Sequence, residues 1–149
     1  MLDPMLSVAE NQEIERLRAA LEDAELRLQA RDKDAQESKR RYSERLFFAA
    51  FDEGPEPMAL TRLRDGLIVD VNQEWLLLTR YSRDEVIGRT TVEIKHWPSP
   101  ADRAAAMALL IAKGRLRDHE VTMVMKGGAH RLTRMNSTLI NVLGESHVL

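Results

Sequence analysis

The chain begins with a long helical pattern in which apolar residues recur at heptad spacing. From Asn11 to about Arg45 it contains no glycine or proline, and most of its residues are strong helix formers. Spacings of three and four residues place a single stripe along this helix, formed by Ile14, Leu17, Leu21, Ala24 and Leu28. A lone helix of this kind is marginally stable in water, and a second copy would bury the stripe. The pattern therefore predicts a parallel homodimeric coiled coil. The alternative is a surface helix packed on its own domain, although about 50 Å of helix would overshoot so small a domain.

The apolar spacing changes near residue 45 to that of a helix docking onto a core. Leu46, Phe47, Ala50 and Phe51 recur at i, i+1, i+4 and i+5, and the segment 54–57, Gly-Pro-Glu-Pro, then ends the helix. We expect the dimer seam to continue toward Phe47 and Phe51. The pattern divides the chain into an N-terminal helix, 1–45, and a globular domain, 46–149.

The first half of the globular domain reads as alternating short elements. Two apolar runs, 58–63 and 67–71, flank Asp65-Gly66, which is typical of a β-hairpin. Asn72 can cap a following helix, and the segment 82–85 forms a capping box for another. Ser99-Pro100 starts a further helix that ends at Lys113-Gly114. One face of that helix is predicted to lie on the sheet, formed by Ala104, Met107, Ala108 and Ile111.

The second half predicts two long strands, 116–126 and about 129–142, and the start of a last strand at 146–149. If Gly127-Gly128 is a two-residue loop, Met123 lies opposite Leu132 and Val121 lies opposite Arg134. Because side chains alternate along a strand, one face then carries Val121, Met123, Leu132, Arg134 and Asn136. The register makes this face the one that should cover the helices.

The segment 67–90 carries a resemblance to a known family. An apolar strand leads into Val71-Asn72, and an aromatic residue, Trp75, follows three positions later. Next come Tyr81-Ser82 and the segment 85–88, Glu-Val-Ile-Gly. This order resembles the core of a PAS domain, and the resemblance covers roughly the last two thirds of the chain. Arg80 stands where that family usually has glycine, which predicts a less tight turn.

The resemblance implies a fold, a cavity and a class of function. The fold would be α+β, a five-stranded antiparallel sheet flanked by short helices and preceded by the long coiled-coil helix. The inner face of the sheet would line a ligand cavity, with ligand-binding residues Val121, Met123, Leu132, Arg134, Asn136, Met107 and Ile111. PAS domains are sensory and dimerisation modules, so the resemblance implies an input module whose effector is a histidine kinase or a cyclic-di-GMP enzyme. The sequence ends within the last strand without an effector, which suggests an excised module.

Arg134 is the sharpest chemical feature of the predicted cavity face. A buried guanidinium is costly unless it is paired. It could bind an acidic ligand, meet an internal carboxylate such as Glu74 or Glu93, or reach solvent at the sheet edge. A one-residue slip of the register would turn it outward and remove the argument.

Composition indicates the cellular environment of the protein and the kinds of partner that it can bind. The 149 residues carry a net charge of −2, which does not favour nucleic acid, and they include no cysteine for a disulfide, a thiolate metal site or a nucleophile. The start lacks the pattern of a signal peptide, and no apolar run approaches the roughly 20 residues that cross a bilayer. We expect a cytoplasmic protein that does not bind membranes.

No cofactor, metal or catalytic role is predicted. The four histidines share no metal-binding spacing. Haem-binding PAS domains usually supply a histidine from the long helix, and residues 102–113 contain none, although His96 in the preceding loop could serve. A flavin photoadduct needs a cysteine, and noncovalent flavin would rest on Trp75 or Trp97. Two alternatives to a sensor remain, a scaffold whose cavity is filled by its own side chains and a small α+β enzyme, which would lack any nucleophile–base pair.

Overall fold

The computed structural model describes residues 7–149. Helix α1, Val8–Phe51, is 44 residues long. The boundary between two compact units falls between Phe47 and Phe48, so the last turn of α1 belongs to the globular unit. A capping box starts the helix: the Glu10 carboxylate accepts from the Ser7 N–H at 2.8 Å, and Ser7 Oγ accepts from the Glu10 N–H at 3.3 Å. The helix starts three residues before the predicted Asn11 and continues to Phe51, as the apolar spacing at 46–51 predicts.

The globular unit is built on one five-stranded antiparallel sheet, as predicted, and its strand order is β2-β1-β5-β4-β3. Its strands are β1 Ala59–Arg62, β2 Ile68–Val71, β3 Arg115–Val124, β4 His130–Val142 and β5 Glu145–Val148. Three helices lie between β2 and β3: α2 Gln73–Thr79, α3 Arg83–Val86 and α4 Pro100–Lys113. The segment between the β1–β2 hairpin and the β3–β4 hairpin therefore contains all three of these helices.

Local capping signals place each of these helices where the sequence predicts. Asn72 accepts from the Trp75 N–H at the start of α2, and Ser82 and Glu85 form the predicted capping box of α3. Ser99 caps α4, and Gly114 ends it in the left-handed conformation. Arg80 closes α2 with φ of 66°, so a non-glycine residue adopts the left-handed turn that glycine usually provides, and the prediction of a looser turn is wrong.

The β3–β4 hairpin differs by one residue from the predicted register. Its loop contains three residues, 126–128, because Met125 N–H donates to Ala129 O, and Gly127 and Gly128 both have φ of 89°. Val121 therefore lies opposite Thr133, and Glu120 lies opposite Arg134. The slip turns Leu132, Arg134 and Asn136 to the face opposite Val121 and Met123, so the predicted shared face is wrong.

Helix α4 presents a different face to the sheet from the one predicted. Ala106, Met107 and Leu110 are buried, whereas Ala104, Ala108 and Ile111 are exposed. The alanine-rich sequence carries apolar residues at helical spacing in more than one phase, so periodicity alone does not identify the buried stripe. Of the four residues predicted for this face, Met107 is the one that is buried.

Candidate functional site

Two separate apolar clusters, one on either side of a large cavity, form the interior of the globular unit. One cluster joins α4 to the sheet through Trp97, Met107, Leu110, Leu116 and Val148, with Ala106. The other joins β2 to α2 and α3 and contains Ile68, Val71, Trp75, Val86 and Ile94. The cavity has a volume of about 1140 Å³ and contacts members of both clusters. Small domains usually have one contiguous core, and a cavity of this size is large enough for a small molecule.

Methionine dominates the apolar wall of this cavity. Every methionine among residues 7–149 lines it, namely Met58, Met107, Met123, Met125 and Met135. Both tryptophans, Trp75 and Trp97, line it as well. Methionine is unbranched and polarisable, so a wall of this kind adapts its shape to an apolar guest.

The cavity opens beside a free strand edge. β5 pairs with Leu139–Val142 of β4, and Leu149 bonds to Thr138. The first half of β4 has β3 on one side and, within residues 7–149, no strand on the other. Residues 133–138 on this edge and residues 56–59 before and at the start of β1 all line the cavity. The cavity is therefore bordered by the strand edge that β5 leaves unpaired.

His96 is the buried titratable group on the cavity wall. Its side chain is 7% exposed, and its ring meets Trp75 edge to face with centroids 5.2 Å apart. Nδ1 lies 2.9 Å from Val124 O, a carbonyl that can only accept, so Nδ1 carries the proton and Nε2 keeps a lone pair. Burial lowers the pKa of His96 below its ordinary value. The residue is therefore a neutral hydrogen-bond acceptor.

A second polar group lies where α4 passes the β1–β2 turn. The Arg103 guanidinium and the Thr91 hydroxyl both lie close to Gly66, since a Cβ added at Gly66 would lie 2.7 Å from Arg103 Nε and 2.6 Å from Thr91 Oγ1. Both residues line the cavity. No sequence motif indicates this pair, because its members are 12 residues apart and are brought near each other by packing around a glycine.

The predicted ligand-binding residues divide into those at the cavity and those elsewhere. Met107 and Met123 line the cavity, whereas Val121 packs against the cluster around Leu110. The Arg134 side chain is 72% exposed and lies 4.0 Å from Glu120 across the strands, so it pairs in solvent and not with Glu74 or Glu93. Leu132 is also exposed, and Asn136 Oδ1 accepts from the Asp118 N–H at a bulge. Arg134 and Asn136 border the cavity along the β4 edge, but the side-chain orientation predicted for them is wrong.

Ile111 and Phe51 also lie away from their predicted sites. Ile111 is 59% exposed and borders an outer groove beside α4. Phe51, predicted in the dimer seam, is only 4% exposed within the globular unit and is unavailable to a partner. In contrast, four other residues predicted for the dimer seam have exposed side chains, namely Leu17, Leu21, Leu28 and Phe47.

Asn72 connects the end of α1 to the cavity wall through four hydrogen bonds. Nδ2 donates to Phe51 O at 2.9 Å and to Glu56 O at 2.7 Å. Oδ1 accepts from the N–H groups of Met58 at 2.8 Å and Trp75 at 3.0 Å. The side chain is fully buried, and its hydrogen-bonding capacity is used completely. The Asn72 side chain thereby connects the backbone N–H of Trp75, in the first turn of α2, to the carbonyl of the last residue of α1.

Arg83 makes a second connection between the end of α1 and the globular unit. Its guanidinium donates to Asp52 Oδ1 at 3.3 Å, immediately after α1, and to Val71 O at 2.8 Å, and it also pairs with Asp70. The first turn of α3 is therefore tied both to β2 and to the end of α1. These contacts make the residues after α1 part of the domain that surrounds the cavity.

Two classes of site are not found in the part of the chain that the structure describes. Residues 7–149 include no cluster of three or more histidine, cysteine, aspartate or glutamate side chains with the geometry of a metal site. None of the helices in this range has the length and apolarity to span a bilayer.

Comparison with known proteins identifies the family of this domain. No curated protein is matched by sequence. Solved structures of similar fold include the PAS domain of an HTR-like protein from Haloarcula marismortui, with TM-score 0.62 and 22% identity over 78% of this chain and 93% of that one. A domain of a sensory box sensor histidine kinase/response regulator from Geobacter sulfurreducens matches with TM-score 0.58 and 18% identity, over 72% of this chain and 92% of that one. The PAS domain, in complex with ethanol, of a LuxR-family transcriptional regulator from Burkholderia thailandensis matches with TM-score 0.54 and 23% identity, over 68% and 91%. The family model for the PAS fold matches residues 45–148, and the chain belongs to the PAS family.

Proposed function

We propose that this chain is a sensory input module in which occupancy of the cavity alters the end of helix α1. The observation that carries the proposal is the set of four hydrogen bonds from Asn72, which joins Phe51 of α1 to Trp75 of the cavity wall. The bond to Trp75 is made by its backbone N–H in the first turn of α2. A ligand that shifts this turn must either move Asn72 and its partners with it or break a buried hydrogen bond, and the latter costs on the order of 1–3 kcal/mol. Binding of a ligand in the cavity would therefore change the contacts at the end of α1.

The output of such a module would pass along α1 as a parallel homodimer. Support comes from the apolar stripe that includes Leu17, Leu21 and Leu28, which is exposed in the single chain and has the spacing of a coiled-coil seam. Two copies held by this seam would convert a local movement at residue 51 into a change in helix packing. The effector in the parent protein would be a histidine kinase or a cyclic-di-GMP enzyme in the cytoplasm. The chain itself would be non-catalytic and would bind neither nucleic acid nor membranes.

Native mass spectrometry of the freshly purified chain tests this function. We expect a dimer that retains one small molecule per subunit, which is lost after unfolding in guanidinium and refolding. A dimer with the mass of two bare chains would instead favour a scaffold whose cavity serves no ligand. A monomer that carries a ligand would contradict the dimeric output and leave the sensing role intact.

A further inference from the structure

Arg103 is a half-buried cation that lacks a carboxylate partner. Its Nη2 donates to Leu63 O at 2.7 Å and Arg62 O at 3.4 Å. Among residues 7–149 no acidic oxygen lies within 4.0 Å of this guanidinium, and the acid nearest in effect, Asp65, already pairs with Arg62 and Arg64. Burial lowers the pKa of Arg103 from its ordinary value, with Asp65 opposing that shift. A guanidinium carries five N–H groups, so several of them remain for an anion.

Thr91 supplies an unpaired hydroxyl next to this cation. Its side chain is 7% exposed, and Oγ1 is the one buried side-chain polar atom without a hydrogen-bond partner among residues 7–149. Leaving such a group unpaired is unfavourable, and native proteins rarely tolerate it without a reason. Gly66 leaves room for both groups, because a Cβ at this position would lie 2.6 Å from Oγ1 and 2.7 Å from Nε. The glycine also needs its φ of 75° for the β1–β2 turn.

We propose that Arg103 and Thr91 form the polar end of the cavity and bind the carboxylate of a small organic acid with an apolar body. Arg103 Nε and Nη1 donate to the carboxylate oxygens, and the Thr91 hydroxyl donates to one of them. Charge-assisted hydrogen bonds of this kind are the strongest available to an arginine. This inference rests on the proposed ligand-binding function and specifies the chemistry of the ligand.

The rest of the cavity wall determines which apolar group the ligand can carry. Its apolar lining includes five methionines and both tryptophans, with Met107 on the same helix as Arg103, one turn further along. His96 adds a neutral acceptor on the Trp75 side. The other arginines that line the cavity, Arg115, Arg117 and Arg134, are exposed to solvent. A carboxylate attached to an aromatic ring or a short alkyl chain would suit both the Arg103–Thr91 pair and the apolar wall. A compact polyacid would instead place carboxylates against methionine, which is unfavourable.

Thr91 distinguishes the cavity from the outer groove beside α4. Arg103 borders both spaces, but Thr91 lines the cavity and not the groove. An anion in the groove would therefore depend on Arg103 alone. If binding of the acid depends on both Arg103 and Thr91, its carboxylate lies in the cavity and not in the outer groove.

The test compares matched probes on the full chain: phenylacetate and octanoate against phenylacetamide and octanamide. Binding is followed by quenching of the tryptophan fluorescence, since Trp75 and Trp97 both line the cavity, and by the shift in Tm. We expect each acid to bind roughly tenfold more tightly than its amide. Arg103→Met should remove this preference and retain amide binding. Arg89→Met, at an exposed arginine that lines neither the cavity nor the outer groove, serves as the matched control with no effect.

Thr91→Val provides a variant that leaves both carbonyl contacts of Arg103 intact. It should raise the Tm of the ligand-free protein, because the buried hydroxyl has no partner to lose, and should reduce the preference for the acid. Equal binding of acid and amide in the wild type would overturn the carboxylate site and leave the sensing function standing. Loss of preference with Arg103→Met but not with Thr91→Val would move the anion to the groove and overturn the proposal. Failure of all four probes to bind would also overturn it, while a retained molecule of another class in the native mass spectrum would still support sensing.

Discussion

At the scale of single residues, Asn72 is the position on which the coupling between cavity and helix depends. Asn72→Asp keeps the shape and the acceptor oxygen but loses the two Nδ2–H donors and places a carboxylate against Phe51 O and Glu56 O. We expect the free energy of unfolding to fall by about 3 kcal/mol in urea titrations. Asn141→Asp is the control, because that exposed side chain bonds to Gly144 N through its oxygen. Equal effects of the two changes would mean that the buried donors contribute little.

His96 predicts the pH dependence of stability. Burial lowers its folded-state pKa below the ordinary 6.5, so the unfolded chain binds the extra proton more readily. The stabilising contribution of neutral His96 is complete above about pH 6.5 and is lost as the pH falls toward the folded-state pKa. His96→Asn, whose amide can still donate to Val124 O, should show a smaller loss of Tm between pH 7.5 and 5.5 than the wild type. The same slope in both proteins would assign the pH dependence to other groups.

The residue scale also shows where sequence reasoning reached its limit. Asn72, Trp75 and Met107 could be placed because their positions follow from caps and helical spacing. Arg134 was misplaced because its orientation depends on whether the loop at Gly127-Gly128 contains two or three residues, and a glycine pair permits both. Arg103 and Thr91 could not be found, since a shared contact with Gly66 leaves no local pattern.

At the scale of elements, α1 is the main test of assembly. Leu21 lies in the apolar stripe, and Leu26, equally exposed, lies outside it. A carboxylate within a coiled-coil seam is strongly unfavourable, so Leu21→Asp should weaken the dimer by tenfold or more. Leu26→Asp is the matched control and should leave the dimer unchanged. Sedimentation equilibrium distinguishes the two, and equal behaviour would contradict the proposed seam.

Removal of residues 1–40 tests the same element on a larger scale. The deletion should weaken dimerisation markedly and leave the sheet folded, because the globular unit begins at Phe48. Circular dichroism checks the fold, and sedimentation equilibrium checks the dimer. A truncated domain that dimerises as tightly as the whole chain would place the main interface elsewhere.

The elements were predicted from sequence more reliably than their faces. Ser99 and Gly114 fix both ends of α4, and Asp65-Gly66 fixes the first hairpin, because capping and turn chemistry is local. The face that α4 buries depends on the shape of the sheet beneath it. Alanines on several sides of the helix make the alternatives nearly equivalent in the sequence.

At the scale of the whole molecule, the two apolar clusters and the space between them define what the domain can bind. We expect the purified protein to be colourless, because α4 offers no histidine to haem and the chain has no cysteine for a flavin adduct. A visible absorption spectrum of the fresh preparation checks this. A Soret band would make His96 Nε2 the first candidate for the axial ligand, and flavin bands would make Trp75 and Trp97 candidates for stacking.

The central claim, that the cavity communicates with α1, is tested most directly by amide hydrogen exchange. The measurement compares the protein as purified with the same protein stripped by unfolding and refolding. We predict faster exchange in the stripped form at residues 48–58 and 73–79, which Asn72 connects, and no change at the β4–β5 turn, 142–145. Identical exchange at residues 48–58 in the two forms would contradict the account.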